Sequence, residues 1–311
     1  KQLSLKLKEK KNNMKKEYFS VEKDGFYGAY YPNKTKTNKG IILMLGDSID
    51  DRLATSGVKY MQLFSFNCLT ISPAKKNYGY HNYALEKFGK ALDVLKKKGC
   101  TKFAIAGGST TGMIALVVAS IYHEITLTIA FTPCDFIMEG FYQDGLDGAK
   151  ERPGNNESTL TLNGKPLPYL PYAYRHPTYW QMIKKESQEG KDMIASRKLF
   201  DESERLHPLK EVELIKVENI KGTIVLVGAS DDVLWDTTKY IRRMEERLKE
   251  KNHDSTLYSY IYQHGTHFAF PERLMKFMLP IGSSLLVSIA FKAGKKFKKE
   301  CKKTRIDIDN K

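Results

Sequence analysis

The sequence of residues 103–120 decides the fold, and it is Phe-Ala-Ile-Ala-Gly-Gly-Ser-Thr-Thr-Gly-Met-Ile-Ala-Leu-Val-Val-Ala-Ser. A short apolar run meets a cluster of glycine, serine and threonine, and an apolar segment of helical length follows. This order predicts a strand, a sharp turn and a buried helix. Small neighbours allow Ser109 a strained turn that exposes its hydroxyl, and the N–H groups at the start of the helix can face developing negative charge.

A simpler interpretation of Ser109 is that it caps the helix, because glycine-rich turns between strands and helices are common. The pattern Gly-x-Ser-x-Gly is also imperfect, since Thr111 occupies the position of the second glycine and Gly112 follows one residue later. A β-branched residue at that position can crowd the turn. Taken alone, the motif leaves both interpretations open.

Strands and helices alternate on both sides of this stretch. Helical spacing of apolar residues predicts helices over 82–98 and 237–251, and residues 18–32 predict a hairpin. Short apolar or alternating runs predict further strands at 41–45, 68–71, 126–131, 223–227 and 257–263. Successive β-then-α units predict an α/β protein with a mainly parallel, doubly wound sheet and helices on both faces.

The regular alternation stops between about 141 and 218, where prolines and aromatic residues accumulate. A long irregular segment inside a compact domain is typical of a lid or binding loop. The alternative is a solvated insertion, but many aromatic side chains are costly to leave in water. We therefore predict a cap over the Ser109 turn, with Tyr172 and Trp180 as substrate-binding residues.

The charge of the chain is strongly positive. Its 311 residues include 51 Lys and Arg against 36 Asp and Glu, a net charge of +15 that favours anionic partners. Many of the lysines lie in a basic lead-in, 1–17, and in a basic C-terminal tail, 292–311. The intervening residues, 18–291, are predicted to form the folded domain. Residues 278–291 are apolar and of helical length.

Cysteine usage and hydropathy limit the classes of protein. Cys68, Cys100, Cys134 and Cys301 are widely spaced without a metal-ligand pattern, so we expect free thiols and no metal site. No apolar stretch reaches the roughly 18 residues of a membrane span. We expect a cytoplasmic protein. Because the sequence begins at Lys1 without a methionine, an upstream signal or anchor remains open.

The residues of a catalytic triad follow three of the predicted strands. A serine nucleophile needs a histidine to accept its proton and a carboxylate to orient that histidine. In α/β-hydrolases these occur in the order Ser, Asp or Glu, His, each after the carboxyl end of a strand. Ser109, Asp231 and His267 fit this order. Asp232 is the alternative acid, and His264 is the alternative histidine.

Each of these residues also has an ordinary structural interpretation. The two aspartates can be turn residues or a helix cap, and a lone histidine is generally a loop residue. We choose Asp231 as the acid of the triad because it lies three residues after the turn glycine, Gly228. For an oxyanion hole the chemistry requires two backbone donors, which we assign to the N–H groups of Thr110 and Asp47. The acidic loop around Asp47 is an unusual neighbour for an oxyanion.

Four stretches resemble one known family. They are Tyr-Ala-Leu-Glu-Lys-Phe-Gly-Lys-Ala-Leu-Asp-Val-Leu at 83–95, Asn-Gly-Lys-Pro-Leu-Pro-Tyr-Leu-Pro at 163–171, Gly-Ala-Ser-Asp-Asp-Val-Leu-Trp at 228–235, and Gly-Thr-His at 265–267. Together they are similar to the catalytic domain shared by acyl-CoA thioesterases and bile acid-CoA:amino acid N-acyltransferases. The resemblance extends over roughly residues 20–290, and Asp-Asp-x-x-Trp is its most specific part.

The resemblance implies an α/β-hydrolase fold with Ser109 as nucleophile, Asp231 or Asp232 as acid and His267 as base. In that family thioesterases tend to carry serine and amidating enzymes cysteine, so Ser109 favours hydrolysis. Two departures from the family are Thr111 and the absence of an N-terminal β-sandwich.

The sequence thus predicts a serine hydrolase of the α/β-hydrolase fold that cleaves an ester or thioester, such as an acyl-CoA, without a cofactor. One alternative is a carboxylesterase, lipase or serine peptidase of the same fold. A second is an inactive hydrolase-fold protein at a membrane surface, touching anionic lipid through the basic tail. A nucleic-acid partner is not expected, because the lysines lie mostly at the chain ends without interleaved aromatic residues.

Overall fold

One eight-stranded sheet forms the centre of the protein, seen in a computed structural model that describes residues 15–45, 48–73, 79–140, 157–174 and 178–311. Its strands run in the order β1-β2-β4-β3-β6-β7-β10-β11. They comprise β1 Glu17–Phe19, β2 Tyr27–Tyr31, β3 Lys39–Met44, β4 Asn67–Ser72, β6 Lys102–Gly108, β7 Ile125–Phe131, β10 Thr223–Ala229 and β11 Thr256–Tyr262. A small second sheet contains β5 Tyr83–Ala84, β8 Leu160–Leu162 and β9 Lys165–Pro166.

Helices connect and cover these strands. They are α1 Val21–Asp24, α2 Arg52–Gln62, α3 Glu86–Lys97, α4 Thr110–Ile121, α5 Thr178–Gly190, α6 Arg197–Leu206, α7 Thr237–Glu250, α8 Glu272–Met278, α9 Ser283–Ala290, α10 Lys292–Lys296 and α11 Lys298–Asn310. Short 3-10 helices occupy Glu211–Glu213 and Val217–Asn219.

The prediction of a mainly parallel sheet is confirmed. In the eight-stranded sheet, every neighbouring pair from β4 to β11 in the strand order is parallel. The pairs β1 with β2 and β2 with β4 are antiparallel. The middle strands are buried on both faces, as in β4, where all six residues are buried. Such strands are apolar throughout because helices cover both sides of a parallel sheet. The carboxyl ends of β6, β10 and β11 consequently lie along one edge.

The predicted N-terminal hairpin is also present. Glu17 pairs with Tyr30 and Phe19 with Gly28, and the one-turn helix α1 joins the two strands. Gly25 ends that helix with a φ of 77°, a conformation that glycine adopts without a steric penalty. Of the predicted basic lead-in, residues 1–14 lie outside the described part of the chain.

The insertion between β7 and β10 is described in part, because residues 141–156 and 175–177 lie outside the described ranges. Its described portion supplies β8, β9, α5 and α6. Arg243 on α7 joins it to the sheet: its Nε donates to Asp135 Oδ2 at 2.6 Å, just past β7, and its Nη1 donates to Glu204 Oε2 at 2.7 Å, on α6. This ion-pair bridge holds α6 against the main body.

The C-terminal region differs from the sequence-based expectation. The apolar run 278–291 is not one helix, because α8 ends at Met278 and the chain turns at Gly282, whose φ is 133°. The predicted basic tail forms α10 and α11, which pack on α8 and α9. The fully buried Arg305 donates from Nε to Glu272 Oε2 at 2.7 Å, and this ion pair ties α11 to α8.

All four cysteines are buried free thiols. Burial raises the pKa of each thiol, and that of Cys301 rises to about 12, where nearby Asp231 adds to the shift. Since the thiolate is the reactive form, a raised pKa keeps each thiol protonated until the pH approaches the higher value.

We therefore expect the native protein to resist a disulfide reagent such as DTNB at pH 8, and the unfolded protein to react at all four cysteines. Absorbance at the thionitrobenzoate band, without and with denaturant, measures both. Fast labelling of a native thiol would contradict the described burial.

Candidate active site

Ser109 stands at the predicted sharp turn between β6 and α4. Its φ of 60° and ψ of −131° are strained for a residue with a side chain. Gly107 permits this geometry, because a Cβ at that position would lie 2.1 Å from the carbonyl oxygen of Thr111. The close approach of the two backbones therefore requires glycine at position 107, and the turn presents Ser109 at the carboxyl edge of the sheet.

Thr111 does not crowd the turn. Its buried hydroxyl donates to the carbonyl oxygen of Met44 at 2.6 Å and accepts the N–H of Gly108 at 3.0 Å. The side chain thereby links the end of β3 to the turn before Ser109. The departure from Gly-x-Ser-x-Gly is thus accommodated by hydrogen bonds, and the strained conformation of Ser109 is retained.

Three side chains from three strand ends form a continuous hydrogen-bonded series. His267 Nε2 lies 2.8 Å from Ser109 Oγ, and His267 Nδ1 lies 2.9 Å and 3.0 Å from the two carboxylate oxygens of Asp232. A carboxylate only accepts hydrogen bonds, so Nδ1 carries the proton and Nε2 is left to accept from the serine hydroxyl. This tautomer is the one that a general base requires.

Asp232 is fixed by its own neighbours. Its carboxylate accepts the backbone N–H of Leu234 at 2.9 Å and the hydroxyl of Thr237, at the start of α7. Trp235 packs edge-to-face against the ring of His267, with centroids 4.9 Å apart, and its indole N–H donates to the carbonyl of Thr132 at 3.1 Å. The motif Asp-Asp-x-x-Trp therefore supplies both the acid and an aromatic wall for the histidine.

The choice of Asp231 as the partner of His267 is corrected by this geometry. Asp231 faces the loop that carries the histidine: its Oδ1 accepts the N–H groups of Gly265 at 3.0 Å and Thr266 at 2.7 Å, and its Oδ2 lies 3.2 Å from His264 Nδ1. Successive side chains project in different directions, so only one carboxylate of the pair reaches His267. The other carboxylate, that of Asp231, accepts hydrogen bonds from the backbone of the loop that carries the histidine.

The C-terminal helices support this loop from the other side. Phe297, between α10 and α11, stacks on His264 with centroids 3.8 Å apart and planes 17° from parallel. Thr304 on α11 donates its hydroxyl to the carbonyl of His264 at 2.5 Å. Sequence reasoning missed both residues, because no spacing in the chain links positions 297–304 to position 264.

Two more residues at the site, besides Ser109, have a backbone in the left-handed region. Thr132, with a φ of 44°, donates its hydroxyl to the carbonyl of His267 at 3.4 Å, and Thr266, with a φ of 58°, precedes His267 directly. Non-glycine residues at positive φ are uncommon, and they persist where the surrounding structure over-determines them. Here the N–H of Thr266 donates to Asp231, and the carbonyl of Thr132 accepts the indole N–H of Trp235, so hydrogen bonds hold both residues.

The residues predicted for the oxyanion hole are described in part. Thr110 is the first residue of α4, so its N–H has no acceptor within the helix and lies directly after Ser109. Asp47, predicted as the second donor, lies outside the described residues.

The predicted substrate-binding residues lie in the insertion. The ring of Tyr172 stacks on Tyr179 with centroids 5.6 Å apart and meets Phe200 edge-to-face at 5.7 Å. Phe200 in turn contacts Trp235 at 5.3 Å. A series of aromatic contacts therefore joins the insertion to the wall of His267. Trp180 belongs to α5, but its side chain lies outside the described part of the structure.

Within the described residues, no group of three or more His, Cys, Asp or Glu side chains is arranged to hold a metal ion.

Comparison with known families identifies the class of this protein. A family model described as BAAT / Acyl-CoA thioester hydrolase C terminal matches residues 83–272, which include Ser109, Asp232 and His267. The chain belongs to this family, as the resemblance of the four stretches predicted, and it is an α/β-hydrolase enzyme. A search of curated proteins found no significant match.

Several solved structures are similar to this chain at low identity. MGS-M1, an alpha/beta hydrolase enzyme from a Medee basin deep-sea metagenome library, is 11% identical with a TM-score of 0.49, over 95% of this chain and 98% of that one. The Pyrococcus furiosus esterase Pf2001 is 13% identical with a TM-score of 0.45, over 91% and 95%. Est1E from Butyrivibrio proteoclasticus is 12% identical with a TM-score of 0.43, over 92% and 98%. These likenesses are distant, and the fold assignment rests on the strand order and the family match.

The two adjacent aspartates generate opposite expectations. We expect Asp232→Asn to lower kcat by on the order of 10⁴, because an amide donor at this position favours the wrong tautomer of His267. Asp231→Ala should lower kcat by about ten- to a hundredfold with KM nearly unchanged, since the loop carrying the histidine loses two backbone hydrogen bonds.

Asp231→Asn is the matched control, because its amide oxygen can still accept those N–H groups and should restore most of the activity. Steady-state kinetics on one activated ester, with melting temperatures for each variant, measure these effects. A larger loss for Asp231→Asn than for Asp232→Asn would reverse the assignment.

Proposed function

We propose that this protein is a serine hydrolase that cleaves an acyl thioester or ester through a covalent acyl-enzyme. The observation that carries the proposal is the hydrogen-bonded series from Ser109 through His267 to Asp232, at a strained turn between a strand and a helix. A serine hydroxyl becomes an effective nucleophile only when a positioned base removes its proton. The series provides such a base and a carboxylate to orient it.

In the first half of the reaction, Ser109 Oγ attacks the substrate carbonyl while its proton moves to His267 Nε2. Asp232 remains ionised and stabilises the imidazolium that forms. The N–H of Thr110, directly after the nucleophile, would donate to the developing oxyanion, and one oxyanion-hole donor is worth about 10² to 10³ in rate. The bond from the acyl carbon to the leaving sulfur or oxygen then breaks, and His267 returns the proton to that atom.

In the second half, water takes the place of the serine. His267 Nε2 accepts a proton from water as its oxygen bonds to the acyl carbon, and the bond between that carbon and Ser109 Oγ breaks. The same proton is delivered to Ser109, which restores the resting hydroxyl and releases a carboxylic acid. The shared use of one histidine in both halves requires that its ring stay in place, which the contact with Trp235 favours.

An acyl-CoA is the substrate class that we favour. The family description names an acyl-CoA thioester hydrolase, and the net charge of +15 attracts an anionic substrate such as CoA. Because thioesterases of the family tend to carry serine and its amidating enzymes cysteine, the resemblance implies that Ser109 transfers the acyl group to water. A neutral carboxylic ester is the second candidate, because the same groups would cleave it.

The alternative of an inactive hydrolase-fold protein is disfavoured by the geometry around Ser109. Two features of the sequence favour that alternative, Thr111 and the basic tail, and the hydroxyl of Thr111 is accommodated by hydrogen bonds to Met44 and Gly108.

We expect Ser109→Ala to abolish hydrolysis, with a loss of kcat on the order of 10⁶, because the nucleophile is removed. The protein should stay folded. A fluorophosphonate probe should label the wild-type protein and not this variant. Rates on acyl-CoAs and p-nitrophenyl esters of matched chain length, at low and high salt, identify the leaving group. Full activity in a folded Ser109→Ala variant would refute the proposal, and labelling without acyl-CoA turnover would leave only the ester.

We also propose that the insertion acts as a cap that selects the acyl chain. Tyr172→Ala should change the preferred acyl-chain length, because the lost ring is part of the aromatic series that reaches Trp235. Tyr258, on β11 away from the carboxyl edge of the sheet, is the matched control, and Tyr258→Ala should leave the preference unchanged. Relative kcat/KM over the ester series and thermal melting separate selectivity from stability. An unchanged profile with a large loss of melting temperature would make Tyr172 a core residue.

A further inference from the structure

An apolar ridge is exposed on the C-terminal part of the fold. Leu285 and Ile289 lie one turn apart on the same face of α9 and are 58% and 60% exposed. Ile281, just before the helix, is 98% exposed, and Met193 is 64% exposed. The N–H of Met193 donates to the carbonyl of Ala290 at 2.7 Å, so this side chain lies beside the helix end. We call these four residues the α9 ridge.

The opposite face of α9 is anchored in the protein. Val287 and Ala290 are buried, and Ser284 accepts a hydrogen bond from the buried Arg305 at 2.8 Å. The helix is therefore held with its apolar outer face turned to solvent. Covering these four side chains would lower the free energy, because apolar surface would be removed from water.

Lysines follow the ridge directly in the chain. Between residues 281 and 303 the only acidic residue is Glu300, and all seven lysines are exposed: Lys292, Lys295, Lys296, Lys298, Lys299, Lys302 and Lys303. The hydroxyl of Ser288 donates to the carbonyl of Gly294 at 3.1 Å, which folds α10 back beside α9. The lysines of α10 thus lie beside α9, where the N–H of Lys292 also donates to Asp192 Oδ1 at 2.8 Å.

We propose that the α9 ridge and its lysines form a docking surface for an anionic lipid bilayer. An exposed apolar strip bordered by lysines is typical of elements that lie in the interface of a membrane, where the apolar side chains enter the acyl boundary and the lysines meet anionic headgroups. A second copy of this chain is disfavoured as the occupant, because two such lysine clusters would repel each other. In the described part of the chain no single helix is long and apolar enough to span a membrane, and by length and composition only the bent pair of α8 and α9 together reaches that measure.

The ridge is also close to the triad. Phe268, the residue after His267, meets Phe291 at the end of α9 edge-to-face, with ring centroids 5.0 Å apart. A bilayer seated on the ridge would therefore contact a helix whose end packs directly against the histidine loop. Together with the proposed hydrolase function, this implies that lipid-dissolved acyl substrates reach the enzyme at the membrane.

The test is co-sedimentation of the full chain with vesicles of phosphatidylcholine containing about one third phosphatidylserine. We expect pelleting at low salt that is lost at about 0.5 M salt and with phosphatidylcholine alone, because salt screens the lysines. The variant Ile281→Ser, Leu285→Ser, Ile289→Ser should reduce partitioning by about tenfold, and Lys295→Glu with Lys299→Glu by a similar factor.

The matched control is Leu206→Ser with Val212→Ser, whose side chains are 57% and 58% exposed away from α9. It should bind vesicles like the wild-type protein. Retention in the supernatant with anionic vesicles at low salt would overturn the proposal, and so would equal binding by the ridge and control variants. A wild-type dimer that the ridge variant converts to a monomer would also overturn it. Vesicle binding and oligomeric state are measured without catalysis. They therefore test the docking surface independently of the proposed hydrolase function.

Discussion

The candidate active site depends on the side-by-side arrangement of three strand ends. Ser109 follows β6, Asp232 follows β10 and His267 follows β11, and their functional atoms must meet within about hydrogen-bond distance. The parallel sheet aligns the carboxyl ends at one edge, but β7 separates β6 from β10 in the strand order. The histidine must therefore reach back across the sheet, and that requirement explains why its loop is held so firmly.

Several independent contacts restrain that loop. Asp231 accepts two of its backbone N–H groups, Thr304 bonds the carbonyl of His264, and Phe297 stacks on the ring of His264. The ring of Trp235 packs edge-to-face against the ring of His267. Strain at Thr266 persists because these contacts over-determine its conformation. The site is thus preorganised by the sheet, by the helix after β10 and by the C-terminal helices together.

The basic C-terminal segment therefore has a double role in the proposed function. Its buried side, with Arg305 paired to Glu272, supports the histidine loop and fixes α9. Its exposed lysines follow the α9 ridge in the chain and make this part of the sequence strongly basic. Changes at Arg305 and changes at the surface lysines consequently act on different properties, the first on the geometry of the site and the second on the interaction with anionic surfaces.

Local patterns determined the strands, most helices and the Ser109 turn, because hydrophobic period and glycine placement act over a few residues. The same patterns reduced the candidates for the acid of the triad to two adjacent aspartates. Only the tertiary structure decided between these, since the direction of a side chain within a turn depends on what packs around it. The break at Gly282 and the docking of α11 through Arg305 were equally inaccessible from local sequence. Both depend on contacts between residues far apart in the chain, which no periodicity records.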